Sequence, residues 1–409
     1  MKKIKLGDVL DVKRGTSLSG DYYATSGDLI RLTLGNFNYP DNGFKHNTSK
    51  EDIYFSGTVK KEFVLNKGDI ITPLTEQVRG LLGNTATIPE SGKYIQSGDI
   101  GLVIPNEELL DKRFAYYLIS SPVVKKQLDA GSQQTKIRHT SPDKIKDCIA
   151  YIPELGEQRK IAQLLDEINA KIELNNTIND NLQQILMESY IQQFECFCGY
   201  GSFIFNEKLK RKIPETWIPI QIKEIASILS GYPFDSNKYT PDGEYKLITI
   251  KNVQDSGIDL HSGDRISLLP ADLPEYCKLL PGDVLLSLTG NVGRIGLMFA
   301  DRCLLNQRVA SIKPHNKQKM PYLFCLFKSE RLRTQMERIA GGTSQKNLSP
   351  IETENLYIPY DEKTVANFSK KMLPLFNKMI STLDENRRLV TLRTELLPLL
   401  MNGQVTIQD

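Results

Sequence analysis

The sequence predicts an α+β fold with two tandem globular domains, joined by two long antiparallel coiled-coil helices. Two observations predict it: one set of short apolar runs occurs twice in the same order, and a heptad pattern follows each set. A chain of 409 residues, 40% of them apolar, is long enough to bury a core in each domain. No segment approaches the ~18 to 20 uninterrupted apolar residues of a membrane span. We therefore expect no membrane association. The six cysteines are scattered along the chain, which fits a reducing cytosol better than a disulfide framework, so we expect a cytoplasmic protein.

The repeat is visible at four places along the chain. Residues 4–15 align with residues 220–231, and the Gly-Asp pair at Gly68 aligns with the one at Gly282. A polar segment before Pro142 resembles the one before Pro350, and an Ile-Pro pair follows each of them at Pro153 and Pro359. The order is the same in both copies, which indicates a duplicated domain.

The two globules are predicted at residues 1–152 and 217–358. Each contains short runs rich in β-branched residues and bounded by Gly, Asn, Asp and Pro, such as LIRLTLGNF in the first copy and YKLITIKNV in the second. Such runs are typical of strands. Patterns with apolar positions every three or four residues follow, and these predict helices.

Residues 153–195 are predicted to form the first long helix. The segment contains neither Pro nor Gly from Glu157 onward, and its apolar residues keep a heptad spacing. At 1.5 Å per residue the stretch from Glu157 to Glu195 makes a helix roughly 58 Å long, and a helix of that length needs a partner. The seam positions are Ile161, Ile168, Asn175 and Leu182.

Residues 359–409 are predicted to supply that partner. Proline disrupts the interior of a helix, so we expect a short helix before Pro374 and a long one from Pro374 to about Leu400. Asn402 and Gly403 are expected to end it. The seam positions include Met379, Asn386 and Leu389.

Two asparagines, Asn175 and Asn386, interrupt the apolar seam. A buried amide at such a position commonly fixes the register of a coiled coil at some cost in stability. Solvated breaks in the seam would give the same pattern, and both interpretations stay open.

Residues 196–216 are predicted to link the two halves, because they combine glycines, a charge run and a proline. They contain Cys196 and Cys198, which form the one close pair among six cysteines. None of the four histidines lies near this pair, so the sequence shows no complete metal-ligand set. We expect no metal site.

The net charge of +3 is too small to indicate a nucleic-acid-binding protein by itself. Positive charge is nevertheless concentrated in residues 125–146 and 328–346, at matching places of the two copies. A solvated helix face explains either segment alone, whereas the recurrence favours a shared function.

No catalytic motif is visible. The chain has no Walker A, His-Glu-x-x-His or Gly-x-Ser-x-Gly pattern, and lacks the sequence motifs of adenine methyltransferases and restriction nucleases. The glycines at Gly290, Gly293 and Gly296 are too loosely spaced for a dinucleotide fingerprint. We expect no catalytic residues and no cofactor.

A polar and cationic loop precedes the closing Ile-Pro of each copy, and a second polar loop follows each repeated Gly-Asp. Their amides suit adenine, and their cations suit guanine or phosphate. Hydrophilic turns would look similar, but the recurrence favours a DNA-binding surface. The candidate residues are Arg79, Gln133, Gln134, Thr135, Lys136 and Arg138 in the first copy, and Asn291, Arg294, Thr343, Ser344, Gln345, Lys346 and Asn347 in the second.

The repeated Gly-Asp with its threonine-containing loop, the segment SQKNLSP and the stretch IPELGEQRKIAQLLDEINAKIELNN together resemble the specificity subunit of type I DNA restriction-modification systems. The resemblance covers essentially the whole chain. The second copy departs from it, because DEKTVANFSKKM lacks the Glu-Gln-Arg element of the first.

The resemblance implies a non-catalytic subunit that reads double-stranded DNA. Each globule would be a target recognition domain for one half of a bipartite site. The long helices would set the spacing and dock two methyltransferase subunits, which nuclease subunits would join. A specificity subunit that serves methylation only, a coiled-coil adaptor with protein-binding globules, and a hydrolase with an unrecognised site are the alternatives.

Overall fold

The computed structural model describes residues 1–39, 42–46, 52–76, 80–131, 138–342 and 346–407. The chain divides into two compact units. Unit 1 consists of Met1–Ile172 with Arg388–Asp409, and unit 2 consists of Glu173–Arg387. Both divisions fall within the long helices, so each unit contains one globule and part of each long helix.

The helices follow the predicted order, with three short helices before each long one. Equivalent serines precede α3 (Pro142–Lys146) and α7 (Pro350–Glu354). The Ser141 hydroxyl accepts a hydrogen bond from the Lys144 amide, and the Ser349 hydroxyl accepts one from the Glu352 amide. A proline at the first helical position follows each serine, as helix starts prefer. The helices are α1 (Lys112–Ile119), α2 (Pro122–Gly131), α3 (Pro142–Lys146), α4 (Leu155–Tyr190), α5 (Met320–Lys328), α6 (Glu330–Ile339), α7 (Pro350–Glu354) and α8 (Glu362–Met401).

Unit 1 contains two four-stranded sheets. The first is antiparallel, in the order Ala86–Thr87, Ile70–Pro73, Ile100–Pro105, Leu10–Arg14. The second has the order Tyr94–Ile95, Ile30–Arg31, Tyr54–Phe55, Tyr23–Ala24, and its first pair is parallel. Two-stranded pairs join Lys2–Lys5 to Ile149–Ile152, Thr75–Glu76 to Arg138–His139, and Phe37–Asn38 to Gly43–Phe44.

Unit 2 repeats this plan. Its first sheet is antiparallel, in the order Ala226–Ser230, Val309–Pro314, Val284–Ser287, Ile295–Leu297. The second has the order Arg265–Ile266, Tyr245–Ile248, Cys303–Leu305, Lys278–Leu279, and again one pair is parallel. Two-stranded pairs join Ile218–Gln221 to Tyr357–Tyr360, and Val253–Gln254 to Gly257–Ile258. The predicted α+β fold with a duplicated globule is confirmed.

The long helices run antiparallel in each unit. In unit 1, Asn169 of α4 contacts Arg393 of α8, while the earlier Glu157 contacts the later Ile407. In unit 2, Asn175 contacts Asn386, while the ring of Tyr190 lies 6.3 Å from that of Phe368. Residues later in α4 thus meet residues earlier in the carboxyl-terminal segment.

Helix α8 is continuous through Pro374, so the predicted break is wrong. Pro374 and Lys370, whose carbonyl loses its hydrogen bond, are both exposed, and water reaches this side of the helix. On the opposite side, burial of each large apolar side chain contributes about 1.5 to 3 kcal/mol, which offsets the proline's cost of about 3 kcal/mol. These side chains are Val365, Phe368, Phe376 and Met379.

The carboxyl end of α8 is where the sequence predicts it. Gly403 has a φ of 66°, and its amide donates to the Leu400 carbonyl at 3.2 Å. The Gln404 amide donates to the Leu399 carbonyl at 2.9 Å. This is a Schellman motif, in which glycine takes the left-handed position.

Residues 196–216 contain a β-hairpin, Phe203–Asn206 with Arg211–Pro214. Phe197 and Ile213 of this segment are buried in the main core of unit 2, where the Phe197 ring lies 5.1 Å from that of Trp217. The segment predicted as a linker therefore contributes to the packing of unit 2.

Candidate nucleic-acid interface

In unit 1 the described residues that border the two polar loops of the first copy pair with each other. The strand Arg138–His139 pairs antiparallel with Thr75–Glu76, so that His139 lies opposite Thr75. The Thr140 amide donates to the Leu74 carbonyl at 2.9 Å and continues this pairing. Two segments proposed as separate candidates therefore form one surface.

The equivalent loops meet in the same way in unit 2. Thr289 forms an antiparallel bridge with Asn347, and the Gly290 amide donates to the Lys346 carbonyl at 3.2 Å. The Leu348 amide donates to the Leu288 carbonyl at 2.7 Å. The fold thus builds a pair of joined loops twice, and we call each of them a loop pair.

The candidate side chains fall into three groups. Asn291, Lys346 and Asn347 are exposed on the loop pair of unit 2. Arg138 and Arg294 are largely buried, with 16% and 19% of their side chains exposed. The remaining candidates lie outside the described residues: Arg79, Gln133, Gln134, Thr135, Lys136, Thr343, Ser344 and Gln345.

Arg138 is held by two carboxylates rather than presented to solvent. Its Nη1 lies 3.0 Å from Oε1 of Glu76 and 2.6 Å from Oδ1 of Asp129, and its Nη2 donates to the Asp129 carbonyl at 2.6 Å. Oε2 of Glu76 accepts hydrogen bonds from the amides of residues 80–82 at 2.8 to 3.1 Å. Arg138 therefore ties the strand after one polar loop to the backbone that follows the other.

Arg294 has a similar role in unit 2. Its Nη1 donates to Oε1 of Gln254 at 2.9 Å, and its Nη2 lies 2.9 Å from Oδ2 of Asp255. With the Asn291 amide oriented so that its oxygen faces the guanidinium, that oxygen accepts from both nitrogens at 3.0 and 3.1 Å. Arg138 and Arg294, both predicted from the sequence to bind DNA, are thus engaged by acceptors of the protein and hold the loop pairs in shape.

A groove of about 690 Å³ adjoins the loop pair of unit 1, and the loop-pair residues Thr75 and His139 belong to its lining. Its cations are Arg14, Arg31 and Lys144, none of which is among the candidates from the sequence. One feature of the sequence indicates this groove: Gly15, the residue after Arg14, recurs in the second copy as Gly231. A Cβ atom on either glycine would lie within 2.4 Å of a backbone carbonyl oxygen, so the close approach of two chain segments requires glycine at both places.

A family model described as the type I restriction modification DNA specificity domain matches residues 1–184 and 214–385. The chain belongs to the type I restriction modification DNA specificity family. The two matched ranges contain both loop pairs and most of both long helices.

Two relatives from this specificity family extend over most of the chain. The specificity subunit of type I restriction enzyme HindI from Haemophilus influenzae is 22% identical, with 99% of each chain covered. That of MjaVIII from Methanocaldococcus jannaschii is 23% identical, over 87% of this chain and 83% of the relative. Among solved structures, the S subunit of a type I restriction-modification system from M. genitalium has the same fold, with a TM-score of 0.59 and 16% identity. The match covers 98% of this chain and 96% of that S subunit.

In this specificity-family chain, most of the predicted seam residues lie in the helix contacts. Ile161, Ile168 and Met379 are buried, and Leu182 and Leu389 are half-buried. Asn175 is buried, and its Nδ2 donates at 2.9 Å both to Oδ1 of Asn386 and to Oε2 of Glu385. The geometry favours an interhelical register contact over a solvated break in the seam.

A polar network joins the globule of unit 1 to the long helices. The Tyr117 hydroxyl donates to Oδ1 of Asp166 at 2.7 Å and accepts from Asn169 at 2.9 Å, while Arg393 donates to Asn169 at 2.7 Å. Burial, followed by the Asp166 carboxylate, raises the pKa of Tyr117 far above its ordinary value. The phenol therefore stays a donor at physiological pH and fixes the globule on α4.

Within the described ranges, no group of three or more His, Cys, Asp or Glu side chains is placed to hold a metal ion. No described helix is both long enough and apolar enough to cross a membrane.

Proposed function

We propose that this chain is the DNA sequence-recognition subunit of a type I restriction-modification complex. Each globule, residues 1–152 and 217–358, reads one half of a bipartite DNA site. The chain itself is non-catalytic and acts in the cytoplasm. Methyltransferase subunits, which use S-adenosylmethionine, and nuclease subunits carry the chemistry.

The duplicated loop pair is the observation that carries this proposal. A chain with two copies of one loop pair is suited to a site with two separate half-sites. In unit 2 the loop pair presents Lys346 and Asn347, whose groups match phosphates and adenine edges. Arg138 and Arg294 are positioning residues in this scheme, because their guanidinium groups are already engaged by protein acceptors.

Within the loop pairs, we assign phosphate contacts to Lys136 and Lys346, and base contacts to Gln134 and Gln345. A lysine ammonium is a point charge that suits a phosphate without selecting a sequence, whereas a glutamine amide pairs with the N6 and N7 positions of adenine. The long helices, residues 153–195 and 359–409, serve as the spacer between the half-sites and as the docking surface for two methyltransferase subunits. The contacts between α4 and α8 inside each unit support this role.

Methylation mapping tests the function directly. The chain is co-expressed with the methyltransferase subunit of its own system, and modified adenines are mapped across the genome. We expect a bipartite motif with a fixed gap. Replacing residues 1–152 with the equivalent globule of another family member should change one half of the motif and leave the other half intact.

Changes in both halves after this exchange, or the absence of any modified motif, would contradict the proposal. Adding the nuclease subunit and measuring phage restriction separates a system that restricts from one that only methylates. A protein-binding adaptor predicts no salt-sensitive DNA affinity in the same complex.

A further inference from the structure

The groove of unit 1 brings together three cations from separate elements. Arg14 ends the strand Leu10–Arg14, Arg31 lies in Ile30–Arg31, and Lys144 lies in α3. In the described part of the chain none of the three forms an ion pair with a carboxylate, although Lys144 donates to the Gly131 carbonyl at 2.8 Å. Asp99 is the single carboxylate in the lining. The groove therefore has an excess of positive charge.

The lining also contains polar groups that lack partners among the described residues. The hydroxyls of Ser97 and Thr140 are buried in the floor without a hydrogen bond, as is Nε of Arg31. The Arg31 guanidinium lies 5.1 Å from the centroid of the Tyr23 ring, which restricts its orientation. Buried polar groups are nearly always paired, so unpaired hydroxyls beside cations that have no carboxylate partner indicate a ligand rich in acceptors.

The second copy does not reproduce this charge. The sequence alignment and strand pairing place Ser230, Leu247 and Glu352 at the positions of Arg14, Arg31 and Lys144, and Arg308 at the position of Asp99. The net charge of these four positions is therefore +2 in unit 1 and 0 in unit 2. Leu247 is buried in unit 2, and Glu352 is exposed on α7. The cationic groove is thus a property of unit 1 and not of the repeated fold.

We propose that this groove is a binding site for the phosphodiester backbone of DNA, and that it gives unit 1 a sequence-independent contact that unit 2 does not have at the equivalent place. The inference rests on the proposed function. A phosphodiester carries a negative charge and only acceptors, which matches a lining of arginine, lysine and hydroxyl donors. Base edges offer donors and acceptors together and carry no charge, so they match this lining less well.

The proposed groove contact predicts that the two units contribute unequally to DNA affinity. The half-site at unit 1 contributes more of the salt-dependent affinity, because each neutralised phosphate releases counterions. Since phosphates are present in every sequence, the groove strengthens binding to all duplexes alike. The choice of bases remains with the loop pairs.

The test uses the full chain in complex with its methyltransferase subunits, and fluorescent duplexes of the mapped motif and of a scrambled sequence. Arg14→Ala and Lys144→Ala change exposed side chains. Each should weaken binding to both duplexes by the same factor, roughly tenfold at low salt. Each should also flatten the plot of log affinity against log salt by about 0.9 units, and the double variant by about twice that.

Charge-preserving variants provide the first control. Arg14→Lys and Lys144→Arg should retain the salt dependence, because a phosphate needs a cation and not a particular fork geometry. Lys60→Ala, which removes an exposed lysine of unit 1 outside the groove lining, should leave both slopes unchanged. The genomic methylation motif should be the same for all six variants.

Each other outcome identifies what has failed. An unchanged slope for the Arg14→Ala, Lys144→Ala double variant in a complex that binds DNA would overturn the groove site and leave the proposed function standing. A loss confined to one base pair, and not restored by Arg14→Lys, would mean base reading and would also overturn it. A wild-type complex without DNA affinity would overturn the proposed function itself.

Discussion

Nη1 of Arg138 lies 3.0 Å from Oε1 of Glu76, and only 1% of the Glu76 side chain is exposed. The other oxygen of that carboxylate accepts three backbone amides from residues 80–82. One buried ion pair thus determines how the two polar loops of unit 1 are joined. A change at Arg138 should act first on the structure of the loop pair and only through it on DNA.

Arg138→Ala should lower the free energy of unfolding of unit 1 by about 3 to 5 kcal/mol, because it leaves the buried Glu76 carboxylate without its cation. Chemical denaturation measures this loss. Hydrogen exchange should also accelerate at residues 80–82, whose amides depend on Glu76.

Arg113→Ala is the matched control, since Arg113 is 51% exposed and its ion pair with Asp166 spans 3.5 Å. It should cost less than about 1 kcal/mol. An equal loss of unfolding free energy in the two variants would show that the ion pair of Arg138 with Glu76 contributes no more than an exposed ion pair.

Asn175→Ala should destabilise the helix pair by about 1 to 3 kcal/mol, because the half-buried acceptors on α8, Glu385 and Asn386, lose their buried donor. Asn386→Ala should cost a similar amount, and the double variant less than the sum of the two. A double-mutant cycle in urea measures the coupling. Additive losses would place the two amides in independent solvated positions.

An insertion of four helical residues between Asn175 and Leu182 should lengthen α4 by about 6 Å and rotate the remainder of the helix by about 40°. The mapped methylation motif should keep both half-sites and change its gap. Substitution of four surface residues in the same stretch controls for loss of folding. An unaltered gap with normal activity would show that α4 does not set the spacing.

Lys346→Ala should weaken binding to all duplexes equally and reduce the salt slope by about one unit. Gln345→Ala and Gln134→Ala should instead cost about 1 to 3 kcal/mol at one base position each. Affinities on the cognate site and on singly altered sites, at two salt concentrations, separate these effects. Wild-type behaviour of all three variants would show that the loops are solvated turns.

The sequence was sufficient for the architecture because the architecture is repeated. Apolar runs, the Gly-Asp turns and the Ser-Pro helix starts recur in order, and each has a local physical cause. The prediction at Pro374 was wrong because the local effect of proline is outweighed by the packing of the helix into the core. The proline costs one hydrogen bond on the exposed side, while Phe368 and Phe376 on the other side stay buried in one core only if the helix continues.

The site was harder to predict for two physical reasons. A sequence does not show whether a cation has a distant carboxylate partner, and both Arg138 and Arg294 have one. The polar loops occur in both copies of the domain. The groove cations do not, because Arg14 and Lys144 correspond to Ser230 and Glu352. A feature that distinguishes the two copies is invisible to reasoning that looks for what they share.

The division of the long helices between the units has a consequence for the order of synthesis. Leu400 and Met401 are buried in the core of unit 1 with Ile161 and Leu165, yet the ribosome adds them after every residue of unit 2. Domains usually complete their folding from the amino terminus onward. We therefore expect the core of unit 1 to be completed only when the last turns of α8 have been added, after unit 2 can fold. Nascent chains stalled after Arg387 should therefore resist protease in unit 2 while unit 1 is still cut.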